Sequence, residues 1–123
     1  MTVKRDAVAW LLLHFGIQSS STHASKYYPK HDAWWIEFPI ARIEAPKSTE
    51  IHLLLQAGPA SKEFHYLCVP VSFLKEQLPK LDLRKNGRIS LHLSAVPHEM
   101  FIDQRGTGKI AFSQFLKTLP ISP

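Results

Sequence analysis

Three features of the sequence predict an α+β fold, a mostly antiparallel sheet of about four strands with flanking helices in the order α-β-β-β-α-β-α. Apolar residues near the start recur with the 3.6-residue period of a helix. Four later segments alternate with the period of two that a half-buried strand requires. A Gly-Pro break between two of those segments marks a hairpin, and so an antiparallel pair. With 123 residues, 45% hydrophobic and 20% charged, the chain has the make-up of one globular domain over 1–123.

Val8, Leu11, Leu12 and Phe15 lie at i, i+3, i+4 and i+7, which predicts a helix over 3–15. Thr2 is its expected N-cap and Gly16 its left-handed stop. Trp10 and Leu13 widen the apolar surface, so packing on more than one side is expected. Residues 18–31 read as a polar loop. Ala33–Ile43 then places Trp34, Ile36, Phe38 and Ile40 on one strand face and Trp35 and Glu37 on the other. Pro39 lacks a donor and points to an edge strand or a bulge. After the turn Ala45-Pro46-Lys47-Ser48, Glu50–Gln56 turns Ile51, Leu53 and Leu55 inward, and Glu63–Val69 returns beyond Gly58-Pro59. Ser72 is expected to cap a short helix, Phe73–Leu78, stopped by Pro79. Lys85-Asn86-Gly87-Arg88 is a turn into Ile89–Ser94, where Ile89, Leu91 and Leu93 alternate with Ser90, His92 and Ser94. Phe112, Phe115, Leu116 and Leu119 predict a last helix closed by Pro120.

Fifteen Lys and Arg against ten Asp and Glu give a formal charge of +5, which favours nucleic acid or another polyanion as partner. The longest apolar run, Ala7–Leu13, is far short of the roughly 18 residues of a membrane span, so no membrane partner is expected. The single cysteine, Cys68, cannot form an internal disulfide and reads as a small buried hydrophobe in a reducing compartment. Lys4 and Arg5 before Ala7–Phe15 imitate a signal peptide, but Asp6 and His14 interrupt the pattern. An uncleaved, cytoplasmic chain is expected.

The order α-β-β-β-α-β over about residues 3–94 is similar to the common core of the restriction-endonuclease-like, or PD-(D/E)XK, nuclease superfamily. The resemblance is one of topology. It implies a metal held between an Asp on the second strand and an acid-x-Lys triplet on the third, the Lys positioning the attacking water. That catalytic motif is missing, since none of the ten acids is followed two residues later by Lys; the nearest imitation is Glu63-Phe64-His65. Antiparallel pairing of 50–56 with 63–69 also sets Glu63 near Gln56 and Glu50 at the far end, too distant to share a metal. The resemblance therefore implies a degenerate, non-cutting member.

No catalytic residue, metal set or cofactor is assigned, because the sequence holds no Ser nucleophile motif, Cys/His pairing or nucleotide fingerprint. The nearest approach to a metal set would be His52 and His65 meeting across the hairpin with Glu50 or Glu63. Arg105-Gly106-Thr107-Gly108-Lys109 fails as a Walker A loop because Asp103 and Ile110 stand where Gly and Ser or Thr are required. Its two glycines still allow amides to converge on an anion at the start of the last helix, beside Arg105 and Lys109. Arg84, Lys85 and Arg88 cluster with Lys80 around the Asn86-Gly87 turn, offset only by Asp82. Lys26, Tyr27, Tyr28, Lys30 and His31 interleave cations with aromatics, as phosphate backbones and stacked bases require. Trp35 faces away from Trp34 and is expected to be partly exposed as a contact residue.

The candidate nucleic-acid or anion contacts are thus Lys26, Tyr28, Trp35, Arg84, Lys85, Arg88, Arg105, Gly106, Gly108 and Lys109. They describe a small basic non-catalytic binding module for nucleic acid or another polyanion. An alternative is a protein-interaction or homodimerising domain using an edge strand and exposed aromatics. A nuclease-like enzyme ranks third, for want of a nucleophile or metal set. Plasmid and single-stranded DNA incubated with the protein and Mg²⁺ or Mn²⁺ are expected to stay intact on gels. Cleavage that disappears on mutating Glu63 or His65 would overturn that expectation.

Overall fold

A computed structural model describes residues 3–118. Its elements run α1 (Val3–Phe15), β1 (Thr22–Ser25), β2 (Tyr27–Tyr28), β3 (Ala33–Pro39), α2 (Ala41–Glu44), β4 (Glu50–Gln56) and β5 (Phe64–Pro70). They continue with α3 (Val71–Gln77), β6 (Asp82–Leu83), β7 (Arg88–Ser94) and β8 (Leu116–Lys117). The α+β class holds, and all four expected long strands form. They divide between two four-stranded sheets, ordered β1-β4-β5-β8 and β2-β3-β7-β6. Pairing is antiparallel except between β1 and β4.

The first sheet is a middle layer. One face of β4 and β5 offers Ile51, Leu53, Leu55, Leu67 and Val69 to Trp34, Ile36 and Phe38 of β3 and Ile89, Leu91 and Leu93 of β7, forming the main core. The opposite face offers Leu54, Phe64, Tyr66 and Cys68 to Ala7, Trp10 and Leu11 of α1, forming a second core. Cys68 is buried there, as its apolar surroundings led us to expect. The two sheets are also joined by hydrogen bonds, Trp34 Nε1 donating to the Gln56 carbonyl at 2.8 Å and Tyr27 N–H to Gln56 Oε1 at 2.9 Å. Gly16, at φ +68°, ends α1 in the left-handed conformation as expected. Thr2, Leu119 and Pro120 lie outside the described residues.

Four expectations are corrected. The segment 18–31 is not all loop, because it carries β1 and β2. Its polar groups do the work that apolar alternation does elsewhere: the buried Ser25 hydroxyl accepts from Trp35 N–H at 2.9 Å, and the Ser21 backbone carbonyl accepts from His52 N–H at 2.9 Å. The strand from Ala33 stops at Pro39, and β3 is interior to its sheet rather than an edge; Pro39 is tolerated because it is the last strand residue before α2. Ser72 caps nothing, since α3 begins directly after Pro70 with no side-chain cap. The last expected helix is replaced by a 3₁₀ turn, Ser113–Phe115, and β8. Phe112 and Phe115 instead pack edge-on against Phe73, at 5.9 and 4.7 Å between ring centroids.

Trp34 is nearly inaccessible and its indole bonds the opposite sheet, whereas Leu13 on α1 is 78% exposed. In urea unfolding, Trp34→Ala is expected to cost about 3–5 kcal/mol. Leu13→Gln is expected to stay within about 0.5 kcal/mol of the unmutated protein.

Candidate functional site

Alternation fixes what the second sheet shows outward. Because Trp34, Ile36 and Phe38 enter the core, Trp35 and Glu37 of β3 face away from it. The register sets Trp35 opposite His92, Glu37 opposite Ser90 and Pro39 opposite Arg88, and β6 adds Asp82 beside Ser90. Here Trp35 is 37% exposed, in line with its expected partial exposure. Its Nε1 donates to Ser90 Oγ at 2.9 Å, which fixes the indole plane.

Trp35 is the centre of a continuous row. The His92 ring lies nearly parallel to the indole, 5.3 Å away and tilted by only 12°. His31 meets His92 edge-on at 6.3 Å. The Arg105 guanidinium sits over the indole at 4.7 Å and bonds Asp82 Oδ2 through Nε at 2.6 Å. Burial first, then the neighbouring His31, lowers the His92 pKa, with Asp103 pulling the other way and Arg105 adding to the lowering, so neutral imidazole is favoured in the row.

The basic turn stands beside this row. Arg84, Lys85 and Asn86 line an open depression of about 530 Å³ with Asp82, Leu83 and Arg105. Gly87, at φ +77°, lets the β6–β7 hairpin close with Arg84 N–H bonded to the Arg88 carbonyl at 2.8 Å. Arg84 approaches Asp82 at 4.0 Å, and Arg88 Nε approaches Glu37 at 3.6 Å. At the other end, Lys26 Nζ lies 5.1 Å from the Tyr28 ring, and Tyr28 and Lys30 line a hollow with Pro29 and His31. The structure thus brings together Trp35, Arg84, Lys85, Arg88 and Arg105, and sets Lys26 and Tyr28 at one margin through His31.

The glycine loop departs from its expected form. No helix begins at Ile110, and left-handed φ is found at Lys109, not at Gly106 or Gly108. Three amides of the loop, those of Arg105, Gly106 and Thr107, already have partners within the protein. Asp103, fully buried, accepts from His92 N–H and Arg105 N–H through Oδ1 and from Gly106 N–H through Oδ2, all at 3.0–3.1 Å. Thr107 N–H bonds the Lys80 carbonyl at 3.0 Å. The loop is therefore a clasp that holds Arg105 over Trp35, while Lys80 and Lys109 bring further charge near it. Sequence reasoning missed Asp103 and His92 as parts of the site, and placed His31 only in the basic stretch with Lys26 and Tyr28. Outward alternation of His92 in Ile89–Ser94 was the one available signal.

The metal constellation does not form. His52 and His65 point to opposite faces of the hairpin, because His52 pairs with Cys68 and His65 with Leu55. Glu50 and Glu63 lie at opposite ends of it, as the antiparallel register requires. Among the described residues no group of three His, Cys, Asp or Glu side chains is placed to hold a metal ion. His52 Nδ1 instead meets Tyr66 OH at 2.6 Å, and Cys68 Sγ donates to Glu50 at 3.1 Å. Burial, above all, pushes the Cys68 thiol up, which keeps it protonated and unreactive.

A Cβ on Gly106 would stand 2.2 Å from the Lys80 carbonyl oxygen, whereas one on Gly108 would meet the flexible Lys80 side chain at 2.8 Å. Gly106→Ala is therefore expected to break the clasp, free Arg105 and change Trp35 fluorescence, with a stability loss of about 2 kcal/mol or more. Gly108→Ala is expected to be mild by the same measurements. No protein-family profile, curated protein or solved structure matches this chain, and among the described residues no helix is long and apolar enough to cross a membrane.

Proposed function

We propose that the protein is a small non-catalytic binding module whose outward β3–β7 face takes nucleic acid or another polyanion. The observation that carries this reading is convergence. Cations from separate stretches meet on this face: Arg105 lies over the partly exposed Trp35 indole and lines one depression with Arg84 and Lys85, while Lys26 lies against Tyr28 on the strand beside β3. Four of them, Arg84, Lys85, Arg88 and Arg105, face two carboxylates, Asp82 and Glu37, which leaves the face positive. An arginine held over an indole with a stacked imidazole beside it suits phosphates and base edges, whose recognition combines charge with flat contact.

A second reading, a protein-interaction surface, draws on α1, where Leu13 is exposed beside Trp10 and Leu12 is exposed next to it in sequence. It would use that helix instead of β3, which is interior. The expected edge-strand homodimer thus has its strongest apolar surface elsewhere. Leu13→Glu separates the two readings, because it disrupts an α1 contact and leaves the basic face intact.

Polyanion binding is expected to weaken steeply with salt, the log–log slope being about 0.9 per duplex phosphate neutralised. The triple variant Arg84→Glu, Lys85→Glu, Arg88→Glu should lower both affinity and slope while leaving the unfolding transition cooperative. Fluorescence anisotropy of labelled single- and double-stranded oligonucleotides over a salt series measures this. Affinity unchanged in the triple variant would remove the turn from the site.

A further inference from the structure

We infer that the polyanion taken by the outward face is a single-stranded nucleic acid, one unpaired base of which enters the hollow at Tyr28–His31 while its phosphates follow the ring row to Arg105, Arg84 and Lys85. The inference rests on the polyanion reading above and narrows its ligand.

The ladder puts Tyr28 on the same side of the sheet as Trp35. Trp34 lies in the core, and Tyr27, its partner on β2, packs against that core too. Tyr28 then turns outward opposite Ala33, and the next pair along that face is Trp35 with His92. The chain reverses at once, with His31 N–H bonded to the Tyr28 carbonyl at 3.1 Å and the Tyr27 hydroxyl bonded to the Asp32 carboxylate. The turn is thus closed by its own hydrogen bonds. The hollow it makes has a volume of about 410 Å³ and is lined, almost wholly through carbon, by Tyr28, Pro29, Lys30 and His31.

The two depressions on this face differ in kind. The one at Arg84, Lys85 and Arg105 is polar and cationic, which suits a phosphate. The one at Tyr28–His31 offers ring and aliphatic surface, where a phosphate would lose water and gain no partner. A flat heterocycle suits it, and Lys26 Nζ, 5.1 Å from the Tyr28 ring, is at hand for the adjoining phosphate. From the hollow, His31 leads to His92 at 6.3 Å, His92 to Trp35 at 5.3 Å, and Trp35 to the Arg105 guanidinium at 4.7 Å. At about 3.4 Å per stacked nucleotide, a strand of a few nucleotides reaches from one depression to the other. A duplex keeps the flat faces of its bases stacked inside and leaves the hollow unused. A single strand fills both.

The test is fluorescence anisotropy of the full chain with a labelled DNA octamer, an abasic octamer of the same phosphate count, and a duplex. The base-bearing strand is expected to bind about tenfold or more tightly than the abasic one at equal salt. Tyr28→Ala should remove that advantage and leave the duplex affinity as it was, whereas Tyr28→Phe should keep the advantage. The abasic comparison uses the unmutated protein, so it stands whether or not Tyr28→Ala folds. An RNA octamer in the same series assigns the sugar, the tighter strand being the ligand. Equal affinity for base-bearing and abasic strands would overturn the inference and leave the polyanion reading standing. A loss in folded Tyr28→Ala that the duplex shares in full would do the same. No binding of any strand, or of inorganic polyphosphate, would overturn both.

Discussion

Strands β4 and β5 are buried on both faces, and this constraint governs the rest of the molecule. A strand pair that is apolar on both sides cannot end a structure; it must be covered twice. One cover is α1, whose Ala7 lets the helix approach and whose Trp10 and Leu11 fill the space over Leu54 and Tyr66. The other cover is the second sheet. That sheet has apolar residues for only one of its faces, so committing Trp34, Ile36 and Phe38 to the core commits Trp35 and Glu37 to solvent. The composition of the outward face is thus a consequence of core packing, and a slip of one residue in β3 would exchange the two sets.

Both periodic elements of the core were legible in the sequence, because apolar alternation and the 3.6-residue repeat are direct images of burial. The span of β4 and the helix over 3–15 were read to the residue. β1 and β2 were not legible. They are held by the backbone ladder of β1 with β4 and by the Gln56 and Ser25 side chains, which accept from Tyr27 and Trp35 N–H, and a cluster of small polar residues looks the same in a loop. The last segment failed for the opposite reason. Phe112, Phe115 and Leu116 have helical spacing, yet the two phenyl rings are spent on Phe73, and the chain then extends to pair with β5. At the candidate site the cationic runs were visible and their convergence was not, since it depends on the register of β3 with β7 and on the path of residues 103–109. The clasp made by Asp103 left no pattern, because a carboxylate that serves backbone amides needs no partner side chain.

That clasp changes what the basic face can do. Arg105 is a long side chain, and fixing it over Trp35 would ordinarily cost rotamer entropy at the moment of binding. Here its backbone is held by Asp103 and its guanidinium by Asp82 and the indole before any ligand arrives. A planar anion or base edge would meet an organised surface instead of a flexible one. His92, stacked on the other ring and favoured as neutral, extends the flat contact without adding charge at neutral pH.

The two carboxylates on the face set the kind of ligand it favours. Asp82 already accepts a hydrogen bond from Arg105, and Asp82 and Glu37 lie within ion-pair distance of Arg84 and Arg88. A single small anion must displace one of these carboxylates for little return, since exposed ion pairs are nearly balanced against solvation. A ligand with several phosphates spaced along a chain can engage Lys85, the free edges of the arginines and the lysines of neighbouring loops together, and release a counterion at each contact. On the proposed reading, these carboxylates disfavour isolated anions while leaving a multivalent polyanion its cumulative advantage.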